Sequence, residues 1–100
     1  MRRARVDVSG VPAGTLKEDG GAYVFRYFDE YNGQPVSLTM PVSTREYSFE
    51  VFPPFFDGLL PEGVQLEAML RLNKIDRNDL FAQLIAVGGD LVGNVTVHAE

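Results

Sequence analysis

The stretch from Phe52 to Gly63 (FPPFFDGLLPEG) constrains the fold more than any other part of the sequence. It combines three prolines, which restrict the backbone, with five large apolar side chains: Phe52, Phe55, Phe56, Leu59 and Leu60. Exposing so much contiguous apolar surface to water is unfavourable unless something covers it. We therefore expect the stretch to lie either against the protein's own sheet or against a partner protein.

Length and composition predict a single soluble domain spanning residues 1–100. One hundred residues is close to the commonest domain size, and 45% hydrophobic with 23% charged residues is typical of globular proteins. The longest apolar runs are too short to cross a bilayer, and the arginine-rich start is followed by polar alternation instead of a signal sequence. These features predict a cytoplasmic protein without a membrane partner.

Charge and residue content argue against several classes of function. A net charge of -5 opposes direct nucleic acid binding, which needs a basic surface. With no cysteine and one histidine, we expect no disulfide, no thiol nucleophile, no metal site and no cofactor. Paired carboxylates such as Asp76 and Asp79 are explained by turns and helix caps, and no nucleophile and base stand at a recognisable spacing. We therefore predict that the chain is not an enzyme and has no catalytic residue.

Alternation of apolar and polar residues predicts four strands before the aromatic stretch. The first three cover residues 3–8, 13–17 and 23–27, separated by glycine-containing turns. A fourth is predicted where Val36, Leu38 and Met40 alternate with polar residues before Pro41. Residues 42–51 are predicted to form an irregular surface loop.

Helix signals follow the aromatic stretch. Pro54 suits the first position of a short helical turn through residue 60, and Pro61 can open a second helix that runs to about residue 72. For a third helix, Asp76 is the expected N-cap and Asp79 occupies the capping-box position. That helix is expected to end at residues 88–89, where glycine permits a left-handed cap.

A last short strand, from residue 95 to residue 98, completes the predicted order β-β-β-β-α-α-β. The predicted fold class is α+β, with a mostly antiparallel sheet and a helical hairpin packed on one face.

Two adjacent aromatic residues, Phe55 and Phe56, are the first candidates for a binding surface. A short helical turn presents a limited inward face, so we expect one of the two rings to point outward as an interface anchor. The sequence does not distinguish between them.

Several segments of the chain together resemble a known family. The segments are residues 8–16, 21–27, 36–41, 54–63, 79–90 and 93–95, of which the most specific is FFDGLLPEG at residues 55–63. They resemble the N-terminal subdomain of HipA-type serine/threonine kinase toxins, and the resemblance covers nearly the whole chain. A freestanding copy of this subdomain is similar to HipS, the small component of three-gene HipBST toxin–antitoxin systems.

The resemblance implies a function and a partner. The chain would be an antitoxin that binds and inhibits a separate HipT-type serine/threonine kinase, with a HipB-type helix-turn-helix protein as a further member of the complex. The segment around residues 53–63 would dock beside the nucleotide cleft of the kinase, with one phenylalanine as a wedge and an acidic side chain meeting basic residues. The residues that this assigns to partner binding are Phe55, Phe56, Asp57, Leu59, Leu60 and Glu62.

Two other functions are compatible with the sequence. The chain could be a scaffold or assembly subdomain of a HipA-type kinase without inhibitory action. An independent small-molecule enzyme would need titratable groups converging in a pocket, and the sequence gives no sign of such a group.

Overall fold

An antiparallel sheet of five strands organises the fold in the computed structural model, which describes residues 2–91 and 93–100. The strands are β1 (Arg2–Val8), β2 (Val11–Asp19), β3 (Ala22–Tyr27), β4 (Glu46–Phe49) and β5 (Val95–Ala99). The helices are α1 (Pro54–Asp57), α2 (Gly63–Asn73) and α3 (Leu80–Val87), followed by a 3₁₀ turn at Gly88–Asp90. The spatial order of the strands is β4-β3-β2-β1-β5, so that the first and last strands are neighbours.

The two faces of the sheet differ as alternation predicts. Cross-strand partners share a face, and the pairs Val6–Val97 and Leu16–Phe25 lie on the buried one. The other face is polar; it carries Arg3, Arg5, Thr15, Lys17, Arg26 and His98. A one-sided antiparallel sheet of this kind needs a cover on its apolar face only.

The helices supply that cover. Phe56 of α1 packs on Phe25 with ring centroids 6.1 Å apart, and Phe81 and Leu84 of α3 are buried in the same core. The predicted α+β class, with a mostly antiparallel sheet and helices on one face, is therefore confirmed.

The predicted fourth strand at residues 36–40 is wrong. This segment forms only an isolated bridge between Ser37 and Met40. The buried Tyr27 hydroxyl donates to the carbonyl oxygen of Met40 (2.5 Å) and accepts from the backbone N–H of Val36 (2.8 Å). Both ends of the segment are thus bound to one side chain, which holds the segment as a tight loop over the end of the core.

The true fourth strand lies inside the predicted loop of residues 42–51. Glu46–Phe49 pairs with β3, placing Tyr47 opposite Phe25 and Phe49 opposite Tyr23. Tyr47 and Phe49 are partly buried against the core. The short alternation of aromatic and polar residues at 47–49 was the available signal for this strand.

Helix ends also differ from the predictions. α2 begins at Gly63, two residues after Pro61. Asp79 is the N-cap of α3 and accepts from the backbone N–H of Ala82 (3.1 Å), whereas Asp76 accepts from the N–H of Asn78 in the preceding turn. Gly88 at the C-cap has φ of −57°, so the expected left-handed cap is absent there.

One ion cluster joins the sheet to the start of α3. The Arg2 guanidinium donates to both oxygens of Glu18 (2.7 and 2.8 Å) and both oxygens of Asp79 (3.0 and 2.8 Å), and it lies 5.0 Å from the Phe81 ring centre. The hydrogen bonds from Arg2 lower the pKa of Glu18 and the pKa of Asp79, although partial burial opposes both shifts. Both carboxyl groups therefore bind protons more weakly in the folded state than in the unfolded chain.

This cluster predicts a pH-dependent effect of Arg2→Gln. Carboxyl groups with a lowered folded-state pKa stabilise the fold above their ordinary pKa near 4, and the stabilisation is lost as the pH falls through the lowered values. Arg2→Gln should therefore lower the unfolding free energy by about 1 kcal/mol at pH 7 and by clearly less at pH 3. Urea unfolding of both proteins at the two pH values measures the difference. An equal loss at both would contradict the ionic origin.

Candidate functional site

The aromatic segment, residues 52–63, is a regular turn with fixed side-chain directions. Pro54 occupies the first turn of α1, and the backbone N–H groups of Asp57 and Gly58 bond to the carbonyl oxygens of Pro53 and Pro54 (both 3.0 Å). The N–H of Leu59 then bonds to the carbonyl oxygen of Phe56 (3.1 Å). These hydrogen bonds fix the backbone of the turn. The fixed backbone in turn sets which rings face the core.

Two of the three aromatic rings are core residues. Phe52 packs edge-on against Tyr23, with centroids 5.3 Å apart, and Phe56 is fully buried beside Phe25. The assignment of Phe56 to partner binding is therefore corrected, because its ring has no surface that a partner could touch.

Phe55 is the ring of the pair that reaches the surface. It is half-buried, packs edge-to-face on Phe56 at 5.2 Å, and lines a shallow hollow of about 600 Å³ together with Pro35 and Leu38. Leu38 is 93% exposed. Sequence reasoning missed Leu38 because it was assigned to a strand; an apolar residue among serine, threonine and proline was its only local signal.

Leu59 and Leu60 line a second hollow, of about 710 Å³, between the aromatic segment and the last two helices. Both leucines are half-buried. Leu72 of α2 borders this hollow and is 80% exposed. The predicted site leucines thus face a different hollow from Phe55.

The two acidic residues of the predicted site are exposed. Asp57 ends α1, and Glu62 stands at the N-cap position of α2 without a side-chain capping bond. Within residues 2–91 and 93–100, neither carboxylate belongs to an ion pair. Both can therefore meet a basic group of another molecule without first breaking an ion pair.

A third hollow, of about 530 Å³, lies beside the turn between β1 and β2. Its lining contains one carboxylate, Glu30, and the hydroxyl groups of Ser9 and Tyr31, but no basic side chain. The partly buried Tyr31 hydroxyl donates to the carbonyl oxygen of Gln34, and burial raises the pKa of this tyrosine. The hollow therefore holds two titratable side chains, Glu30 and Tyr31, and the tyrosine hydroxyl is already bonded to the backbone.

Residues 2–91 and 93–100 contain neither a metal-site cluster nor a membrane-spanning helix. In that part of the chain, no three or more histidine, aspartate or glutamate side chains are grouped so that they could hold a metal ion. None of the helices described there has both the length and the apolar character needed to cross a membrane.

Comparisons with known proteins agree on one family. The sequence matches the family model of the HipA N-terminal domain over residues 4–98. A solved structure described as the N-terminal domain of HipA toxin has a TM-score of 0.82 and 31% sequence identity, covering 100% of this chain and 93% of that one.

Two relatives carry the same domain in proteins of different size. An uncharacterized protein of Haemophilus influenzae is 30% identical over 100 residues, which cover 100% of this chain and 94% of the relative. The protein named "Putative kinase Y4mE" of Sinorhizobium fredii is 39% identical over 82 residues, which cover 81% of this chain but 19% of that protein. Sequence match and shared architecture lead to the same conclusion: the chain belongs to the HipA N-terminal domain family.

Proposed function

We propose that this protein is a non-catalytic antitoxin that binds and inhibits a separate HipT-type serine/threonine kinase. In this proposal it is the small component of a HipBST-type system in the bacterial cytoplasm, with a HipB-type helix-turn-helix protein as the third member. The kinase-contacting residues are Phe55, Asp57, Leu59, Leu60 and Glu62, joined by Leu38.

The two relatives support a domain that works both joined to and detached from a larger protein. In the Haemophilus influenzae protein the matching region is 94% of the chain, whereas in Y4mE it is 19%. Detaching a domain converts an intramolecular contact into an intermolecular one, and the contact surface must then recognise its partner from solution. Such a surface needs exposed apolar anchors.

The apolar surface formed by Phe55 and Leu38 is the observation that carries the proposal. Leu38 is 93% exposed and lines the same hollow as the half-buried Phe55. Large apolar residues next to a rigid turn are typical of interface hot spots. Asp57, two residues after Phe55, adds a negative charge suited to a basic surface.

This surface predicts the effect of replacing both anchors. The double variant Phe55→Ala/Leu38→Ala should fold yet bind the kinase at least about thirtyfold more weakly, because truncating hot-spot residues typically removes about 2 kcal/mol or more. Co-expression with a kinase gene adjacent to this one tests the prediction by growth rescue and by co-purification. Both should be lost.

A matched control is available on the same protein. Phe28 is 38% exposed and Val64 is 85% exposed, and neither belongs to the aromatic segment. The double variant Phe28→Ala/Val64→Ala removes a similar amount of exposed apolar surface and should keep rescue and complex formation. Retained rescue by Phe55→Ala/Leu38→Ala would refute the anchor role.

The alternative is a scaffold or assembly subdomain of a HipA-type kinase without inhibitory action. The match to 19% of a much longer protein favours it. The same co-expression separates the two functions, because a stable complex without growth rescue would support the scaffold and contradict the antitoxin.

A further inference from the structure

The hollow between α2, α3 and the aromatic segment, which we call the α2–α3 groove, is a second apolar surface. Its floor includes the buried Met69 and the half-buried Leu59 and Leu60, and Leu72 stands 80% exposed at its border. The remaining apolar lining residues are Pro61, Ala68, Ala86, Val87 and Leu91. The volume of the groove is about 710 Å³.

The position of the groove favours a helical occupant. Its lining comes from α2, α3, the 3₁₀ turn and the loop before α2, and it includes no residue of β1 to β5. Strand addition requires a sheet edge, which the groove does not offer, whereas an amphipathic helix inserts apolar side chains between two helices.

The charges around the groove select a basic occupant. Asp90 is its one ionised lining residue among those described, Glu62 directly follows Pro61 of the lining, and Asp57 directly precedes Gly58. By the same adjacency Glu67 precedes Ala68, Arg71 precedes Leu72 and Lys74 follows Asn73, so four acidic and two basic side chains lie in or beside the lining. An apolar floor with an acidic rim is complementary to a helix that carries lysine or arginine beside its apolar stripe.

We propose that the α2–α3 groove is the docking site of a basic amphipathic helix of the partner kinase. The identity of the partner rests on the proposed function. The occupant's chemistry rests on the groove itself. The kinase would then contact two hollows, with the aromatic segment between them contributing Phe55 to one and Leu59 and Leu60 to the other.

The first test uses synthetic peptides and needs no kinase. A leucine–lysine amphipathic helix of about 18 residues, or five turns, is compared with a counterpart in which glutamate replaces lysine. Titration by NMR should shift the backbone signals of Leu59, Leu72 and Leu91 with the lysine peptide only. Shifts centred elsewhere, or equal binding of the glutamate peptide, would overturn the proposal.

Two substitutions on one helix sharpen the test. Leu72→Glu should weaken lysine-peptide binding at least about tenfold, because the lost leucine contact costs more than one exposed carboxylate–lysine pair contributes. Val64→Glu makes the same kind of change on α2 at a residue that is 85% exposed but does not line the groove. The affinity of this variant for the lysine peptide should stay within about twofold of that of the unaltered protein. Equal effects would overturn the proposal, as would a concentration-dependent dimer that Leu72→Glu dissolves, since the occupant would then be a second copy.

Co-purification with the kinase tests whether the α2–α3 groove is a kinase-binding site. Leu72→Glu should reduce recovery of the complex and Val64→Glu should not. Normal recovery with Leu72→Glu would overturn the assignment of the groove to the kinase while leaving the antitoxin function intact. If the unaltered protein fails to bind the kinase, the proposed function fails, and the peptide result is judged separately.

Discussion

Gly88→Ala should unfold the domain or lower its unfolding free energy by about 3 kcal/mol or more. A Cβ atom at Gly88 would overlap the carbonyl oxygen of Val97 and lie 2.8 Å from its carbonyl carbon. These are backbone atoms of β5, which cannot move aside as a flexible side chain can. Since small domains are stable by about 5–15 kcal/mol, the loss is a large share of the total. Urea unfolding followed by circular dichroism measures it.

The neighbouring glycine provides the control. A Cβ atom at Gly89 would meet no other atom within 4 Å, so Gly89→Ala should change stability by less than about 0.5 kcal/mol. Similar losses for the two variants would show that the close approach of Gly88 to β5 is not what makes glycine necessary there.

Phe56→Ala should lower the unfolding free energy by about 3–5 kcal/mol, the range for removing a buried phenylalanine. Its ring is fully buried and contacts both Phe25 and Phe55. Phe55→Ala removes an identical group from the next residue, but that ring is only half-buried, so its loss should be about 1 kcal/mol. Urea unfolding of the two single variants gives the comparison.

The stabilities of the two variants also determine what a loss of kinase binding by either of them means. Loss of kinase binding by Phe56→Ala would report unfolding, whereas loss by a folded Phe55→Ala would report a missing contact. A Phe55→Ala variant as unstable as Phe56→Ala would contradict the placement of Phe55 at the surface.

Much of the sheet could be predicted because its signals are local. The alternation in residues 3–8 and 23–27 and the turns between strands directly reflect the pleat. Local alternation could not show that the fourth strand is Glu46–Phe49 and not residues 36–40, since apolar and polar residues alternate in both segments. The Tyr27 hydroxyl holds residues 36–40 as a loop by accepting from the N–H of Val36 and donating to the carbonyl oxygen of Met40, and no local pattern encodes those two bonds.

Gly88 shows the same limit at a helix end. Glycine after a helix is usually read as a left-handed cap, yet here φ is −57° and the missing side chain makes room for β5. The reason for this glycine lies in a strand that follows it in the chain. The sequence therefore predicted where the helix ends but not why glycine is needed at that position.

The structure separates the residues of the candidate site in a way that the sequence did not predict. The density of apolar residues identified the aromatic segment, and Pro54 identified its helical turn. Which ring faces inward depends on how that turn is rotated against Phe25. Leu38 and Leu72 reach the two hollows from distant parts of the chain, so only the tertiary structure could reveal them.

The position of β1 between β2 and β5 has a consequence for how the protein emerges from the ribosome. β1 precedes β2 in the chain and pairs with it across a short turn, whereas its other hydrogen-bonding edge stays open until residues 95–99 are available. Pairing of such distant segments is slow and leaves strand edges exposed to other chains in the meantime. A chain of this design would complete its sheet, and with it the cover that the helices give, only after the strand Val95–Ala99 has been translated.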